Sequence, residues 1–292
     1  MTDIPSIVGV LGGGRMGAGI AHAFVIAGST VRVVERDREQ ATGALERVRA
    51  ALAASVNRGT VGQPIEELTA RIETGTDDAL FDECELVIEA VPEDPQLKVA
   101  SLARIEDRVG SGIPIASNTS SLSIDVLAAS LRYPQRFLGL HFFNPVPASE
   151  LVEIVVGAAT NESIIADAQD WVAALGKMPV TVRDSPGFAS SRLGVIIGLE
   201  AIRMLEEGVA TASDIDAVMV LGYRFPVGPL RLTDIVGLDV RLGIAEYLHS
   251  QLGERFAPPQ LLRNKVAAGE LGRKTGTGFF TWDDSPGQGG TR

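Results

Sequence analysis

Ile7-Val-Gly-Val-Leu-Gly-Gly-Gly-Arg-Met-Gly17, followed by a helix-patterned stretch over 16–27 and a second apolar run at 31–34 that ends on Glu35, decides the fold. The five residues Ile7–Leu11 are β-branched and apolar enough for a buried strand. Gly12, Gly14 and Gly17 satisfy G-x-G-x-x-G directly after that strand and at the mouth of a helix. Gly12 permits the tight turn, Gly14 lets a pyrophosphate approach the backbone, and Gly17 lets helix and strand pack closely. The helix N-terminus, with Arg15 and Met16 in its first turn, offers unpaired amides to the phosphates. Glu35 stands 18 residues past Gly17, where an acid accepts from the adenosine ribose and repels a 2′-phosphate. The stretch therefore predicts NAD, held by Gly12, Gly14, Arg15, Met16, Gly17 and Glu35, in preference to NADP. Arg36, next door, works against that preference.

Outward from this unit, short apolar runs at 86–90, 113–116 and 137–140 alternate with helix-patterned stretches at 37–58 and 96–109. Strand alternating with helix gives a parallel sheet covered on both faces. Runs at 151–156 and 180–182, flanking a helical stretch at 161–175, carry the sheet to about Arg183. Asp184-Ser-Pro-Gly187 breaks the pattern. Only helical periodicity follows, at 188–207, 213–221, 240–251 and 259–267, with Ser213-Asp-Ile-Asp read as a capped helix start. The tail at 285–292 is Gly-rich and reads as mobile. The expected fold is α/β: a Rossmann-type, mostly parallel sheet domain over 1–184 and an all-helical domain over 185–292.

The 292 residues are 45% hydrophobic and 22% charged, an ordinary globular balance. A formal charge of −11 disfavours nucleic acid as a partner. No apolar stretch is long enough to span a bilayer, so no membrane partner is expected. A lone cysteine, Cys84, cannot form an internal disulfide, and Met1 is followed by no basic, apolar leader pattern. A soluble, cytoplasmic protein is expected.

Three histidines could carry a proton. His22 and His249 fall inside amphipathic helices and read as packing or surface residues. His141 ends an apolar run and precedes Phe-Phe-Asn-Pro-Val-Pro147, so it leaves the sheet at its carboxyl edge, where such folds bind ligands. A histidine base works better with a carboxylate to fix its tautomer, and Glu153 sits within the apolar run Leu151–Val156. A charge there costs stability unless paired, although an outward-facing strand position is the alternative. Ser117-Asn-Thr-Ser-Ser121 follows another strand; its hydroxyls either bond a substrate oxygen or cap a helix. Nothing points to a metal site.

Gly12–Gly17 with Ala18-Gly-Ile-Ala21, Val87-Ile-Glu-Ala-Val91, Ser117-Asn-Thr-Ser-Ser-Leu122, His141-Phe-Phe-Asn-Pro-Val-Pro147, Ser185-Pro-Gly-Phe188 and Gly276-Thr-Gly-Phe279 together resemble the 3-hydroxyacyl-CoA dehydrogenases. The strings keep the family's order and cover nearly the whole chain. The resemblance implies NAD-dependent oxidation of an L-3-hydroxyacyl-CoA, with His141 as general base and Glu153 as its partner. It gives Ser120 a hydrogen bond to the 3-oxygen and a place beside the cofactor. It also sets Glu93, Lys98, Asn144 and Lys274 on the cofactor side. It implies a homodimer whose helical domain closes over the substrate. Ser191 stands where relatives usually carry an asparagine that helps hold the substrate, and it is taken with His141, Glu153 and Ser120 as the catalytic set. Relatives bind coenzyme A with basic residues of the long helix after Glu35; Arg47, Arg49 and Arg58 are the candidates here. Two rivals follow: a dehydrogenase of a free hydroxy acid, of the carnitine or gulonate type, and a non-catalytic, crystallin-like dinucleotide binder.

Overall fold

The computed structural model describes residues 4–282, so the tail at 285–292 lies outside the described residues. Contacts divide the chain into two compact units, Met1–Ser185 and Pro186–Arg292. In the first, the quoted stretch forms β1 (Ile7–Leu11), α1 (Arg15–Ala27) and β2 (Thr30–Val34). There follow α2 (Arg38–Asn57), α3 (Ile65–Thr69), β3 (Ile72–Gly75), β4 (Leu86–Glu89), α4 (Pro95–Arg108), β5 (Ile115–Ser117) and α5 (Ile124–Ala128). Then come β6 (Phe137–Phe142), β7 (Leu151–Val156), α6 (Glu162–Ala174) and β8 (Met178–Arg183).

The eight strands make one sheet in the order β3-β2-β1-β4-β5-β6-β7-β8. All neighbours are parallel except β6 and β7, which pair antiparallel. The chain winds outward from β1 in one direction to β3 and in the other from β4, so the order reverses between β1 and β4. That switch point opens a crevice at the carboxyl ends of the strands. Val8, Val10, Val31, Val33, Leu86 and Ile88 are fully buried, which fits the continuous apolar runs of a sheet covered on both faces. β3 escaped the sequence reading because Ile-Glu-Thr-Gly holds one apolar residue and pairs only with the outer side of β2.

Helix starts follow local chemistry. Asp37 caps α2 by accepting from the Gln40 amide, Asp94 caps α4 from Leu97, and Ser123 caps α5 from Val126. α1 begins at Gly14 with no side-chain cap. Its first amides are thus left for another acceptor.

The second unit is helical: α7 (Ser190–Glu206), α8 (Ala212–Ala217), α9 (Pro229–Val236), α10 (Leu238–Leu252) and α11 (Gln260–Ala267). Val195, Leu199, Ile202, Leu230, Leu238 and Leu248 form the centre of its core. The cap of α8 is Thr211, not Ser213: its side chain accepts from the Asp214 amide. α9 was not foreseen, although Gly228-Pro229 is a helix-start signal. Buried Asp234 ties this unit together by accepting from the amides of Phe279 and Phe280 and from Trp282 Nε1.

His22 is a packing residue, as read. It is buried between α1 and α2, with Nε2 2.8 Å from Ser55 Oγ. Burial, and then the positive charges of Lys177 and Arg58, push its imidazole down to about 4. An unfolded histidine protonates near 6.5, so over pH 4 to 6.5 the unfolded chain binds the extra proton. This contribution is full above pH 6.5 and lost as pH falls toward 4. Chemical denaturation from pH 7 to 4 should show His22→Gln losing less stability than the parent, by on the order of 3 kcal/mol. Parallel losses in the two proteins would show that His22 does not set the slope.

Candidate active site

The glycine loop is shaped by close approaches. Gly12 has φ +96°, and a Cβ on it would stand 2.9 Å from the Ala90 carbonyl oxygen. A Cβ on Gly17 would stand 1.8 Å from the Gly12 carbonyl oxygen. Around Gly14 a Cβ would meet nothing within 4 Å. That open space lies over the uncapped start of α1, which suits a pyrophosphate. Arg15 and Met16 open the first turn of the same helix. Glu35 turns back over the loop, where its Oε1 accepts from the Gly13 amide at 2.7 Å. Arg47 reaches in from α2 and donates to the Gly13 carbonyl at 2.9 Å. Arg36 bonds Asp37.

Further along the edge, the register of β6 and β7 sets His141 directly opposite Glu153. His141 is 7% exposed and Glu153 1%. Nδ1 of the ring lies 2.8 Å from Glu153 Oε2. β7 runs antiparallel, so a residue early in it stands beside one late in β6, at the sheet's carboxyl edge. The ring of Phe143 lies against the imidazole, with centroids 4.5 Å apart. Asn118 Oδ1 accepts from the Phe142 amide and holds the end of β6 to the loop after β5.

That loop, Ser117 to Ser121, is organised by carboxylates. Glu93 Oε1 accepts from Thr119 Oγ1 at 2.6 Å and from the Ser120 amide at 2.8 Å, with the amide of Ser121 at 3.1 Å. The Ser120 hydroxyl also donates to it, at 3.2 Å. Burial by itself would raise the Glu93 carboxyl; the Lys98 ammonium and the bonds from Thr119 and Ser120 overcome it and hold the group below its usual range. Lys98 Nζ lies 3.3 Å from Glu93 Oε2 and 2.8 Å from Glu89 Oε1.

Glu89, the last residue of β4, is the residue that sequence reasoning missed. It is fully buried and also accepts from Ser117 Oγ at 2.6 Å and from the Val91 amide at 2.7 Å. Its signal was available: a carboxylate inside Leu86-Val-Ile-Glu-Ala, with a lysine nine residues on.

Asn144 sits on the exposed loop after β6. Ser191 lies in the first turn of α7 in the helical unit, and there Lys274 Nζ pairs with Asp239 at 2.6 Å. His249 bonds Glu254 on the surface. Cys84 is buried, and burial pushes its thiol up to about 12. Among the described residues no cluster of His, Cys, Asp and Glu could hold a metal, and no helix is long and apolar enough to cross a membrane.

Against this geometry the comparisons with known proteins are direct. The model of the 3-hydroxyacyl-CoA dehydrogenase NAD binding domain matches residues 7–185, and that of the family's C-terminal domain matches 187–282. The chain belongs to the 3-hydroxyacyl-CoA dehydrogenase family. It is 41% identical over 287 residues to a 3-hydroxybutyryl-CoA dehydrogenase of Mycobacterium tuberculosis, covering 97% of this chain and 100% of that one. It is 37% identical to the mitochondrial hydroxyacyl-coenzyme A dehydrogenase of Rattus norvegicus, covering 94% and 90%. The crystal structure of (S)-3-hydroxybutyryl-CoA dehydrogenase from Ralstonia eutropha is similar at a TM-score of 0.92 and 38% identity, covering 96% of this chain and 100% of that one. The first unit of this dehydrogenase-family chain is therefore an NAD-binding domain.

Glu35 gives a test of the cofactor end. In Glu35→Ser the carboxylate beside the Gly13 amide is gone, and the preference for NADH over NADPH should narrow at least about tenfold, the worth of one charge-assisted bond. Fluorescence titration of both nucleotides reads it. An unchanged ratio would move discrimination elsewhere.

Proposed function

We propose that this chain catalyses the reversible, NAD-dependent oxidation of an L-3-hydroxyacyl-CoA to the 3-oxoacyl-CoA. The observation that carries the reading is the buried His141–Glu153 pair at the carboxyl edge of an NAD-binding sheet. A dinucleotide binder without catalysis has no use for it.

The residues fit NAD: an uncapped helix start with open space above Gly14 for the pyrophosphate, and Glu35 for the ribose. Bound there, NAD supplies the acceptor for the hydrogen leaving carbon 3. His141 takes the proton of the 3-hydroxyl. Glu153, at Nδ1, keeps the proton of that nitrogen in place and stabilises the imidazolium. Ser120 and Ser191 align the 3-oxygen. Glu93 fixes the Ser120 loop, and Lys98, sealed 1% exposed beneath it, acts through Glu93. Asn144 lines the nicotinamide side, and Lys274 serves the cofactor side from the helical domain. We take 1–184 as the NAD-binding domain and 185–292 as the domain that closes on substrate and pairs with a second copy. Leu193, Val218, Leu221 and Tyr223, exposed on the helical unit, favour such a homodimer. The single free Cys84 suits a reducing cytoplasm.

One observation favours a free hydroxy acid instead. Arg47, a candidate for coenzyme A, is engaged with the glycine loop, which leaves Arg49 and Arg58 for the coenzyme. Activity with acetoacetyl-CoA against free 3-hydroxybutyrate separates the two substrates.

General-base assistance is worth about 10²–10⁴-fold, so His141→Gln should lower turnover of acetoacetyl-CoA by that factor. NADH affinity, read by fluorescence, should stay within about threefold, since no cofactor bond is assigned to the ring. Full turnover in this variant would remove His141 from the mechanism.

A further inference from the structure

Gly13 is held from both sides. Its amide donates to Glu35 Oε1 at 2.7 Å, and its carbonyl accepts from Arg47 Nε at 2.9 Å. The first partner follows β2 directly, and the second stands in the middle of α2. Two bare positions make the second bond. A Cβ on Gly13 would stand 2.3 Å from Ala44 Cβ and 2.9 Å from Val33 Cγ1, so only a glycine lets α2 close on the loop. A Cβ on Gly43 would stand 3.2 Å from Arg47 Nη1, so the arginine lies back over the glycine one turn earlier.

A bond to that carbonyl governs a whole peptide. The link between Gly13 and Gly14 is planar and trans, so its N–H points opposite to its C=O. With the oxygen fixed toward Arg47, the Gly14 N–H is fixed away from it, at the uncapped start of α1. Gly14 is also the residue around which a Cβ would meet nothing within 4 Å. A cation on the oxygen draws electron density from the peptide and makes its N–H a stronger donor. Coenzyme A is a poor rival for the same guanidinium. The opening around Arg47 is lined by Glu39 and Glu46 as well as Gln40, Thr42 and Gly43, and carboxylates repel the phosphates of the coenzyme.

We propose that Arg47 is a positioning residue of the cofactor site, fixing the Gly13–Gly14 peptide so that the Gly14 N–H meets the pyrophosphate of NAD. The inference rests on the first unit as an NAD-binding domain, and it takes Arg47 out of the coenzyme A set. The guanidinium acts through the peptide, without touching the dinucleotide. Glu35 and Arg47 thus divide the work across one residue, the acid toward the ribose and the cation toward the phosphates.

The test reads binding first. NADH is titrated by fluorescence, and ADP and adenosine, which differ only in the diphosphate, by competition against it. In Arg47→Met, NADH and ADP should both weaken about tenfold, the worth of one charge-assisted bond, while adenosine stays within about twofold. Arg47→Lys should fall between, since an ammonium restores the charge without the fixed fork. KM for acetoacetyl-CoA at saturating NADH should stay within about twofold in Arg47→Met. Unchanged NADH affinity overturns the proposal, and so does equal weakening of ADP and adenosine, which marks a packing role alone. A raised KM for acetoacetyl-CoA with NADH affinity intact also overturns it and returns Arg47 to the coenzyme. Should Arg47→Met not fold, Gly43→Val keeps the cation and pushes it off the carbonyl. That variant should weaken ADP at least about threefold, and an unchanged affinity overturns the proposal. No turnover of acetoacetyl-CoA in the parent would instead sink the proposed reaction and leave these affinities to decide on Arg47.

Discussion

Glu89 and Lys98 form an ion pair with neither side chain more than 1% exposed, and the active edge of the sheet depends on it. Such a pair is costly to bury, and it persists only when every remaining lone pair and proton is met. Glu89 meets Lys98, Ser117 and the Val91 amide; Lys98 adds the Val91 carbonyl and Glu93. Glu93 in turn gathers Thr119, Ser120 and Ser121, so the position of one buried ammonium reaches the loop after β5. Break the pair and the loop loses its fixed frame, because a buried charge without its partner forces the surroundings to rearrange.

The same economy of position explains the His141–Glu153 pair. Six strands, β1 to β6, run in one direction, and β7 and β8 run in the other. β7 runs against β6, and that direction sets Glu153 opposite His141 at the carboxyl edge of the parallel strands. A parallel β7 would have brought its carboxyl end to this edge, with Val155 and Val156 there in place of the carboxylate. The reversal at β7 is thus a feature of the site as much as of the fold.

Legibility in the sequence followed the strength of the physical signal. β1, α1 and β2 were readable because apolar runs, three required glycines and a terminal acid agree over about thirty residues. Glu153 was found by asking what a charge does inside an apolar strand. Glu89 raises the same question in Leu86-Val-Ile-Glu, and reading 86–90 simply as an apolar run leaves it unasked. β3 and α9 were missed for want of length and periodicity: four residues with one apolar side chain, and a helix announced only by Gly228-Pro229. Arg47 is a coenzyme A candidate only through the resemblance, as a basic residue of the long helix after Glu35; folding brings it to a carbonyl 34 residues away.

Two buried histidines show why residue type alone decides nothing. His22 and His141 are both nearly sealed from solvent, and each has a polar neighbour at 2.8 Å. For His22 that neighbour is a serine hydroxyl, and the nearby charges are Lys177 and Arg58, so a proton is unwelcome and the ring stays neutral. For His141 the neighbour is a carboxylate, which orients the ring and gives an arriving proton a counter-charge. A base must both release its lone pair to the substrate and survive as a cation while the reaction proceeds. Only the second environment supplies a counter-charge, and it is the antiparallel pairing of β7 with β6, not the histidine, that provides it.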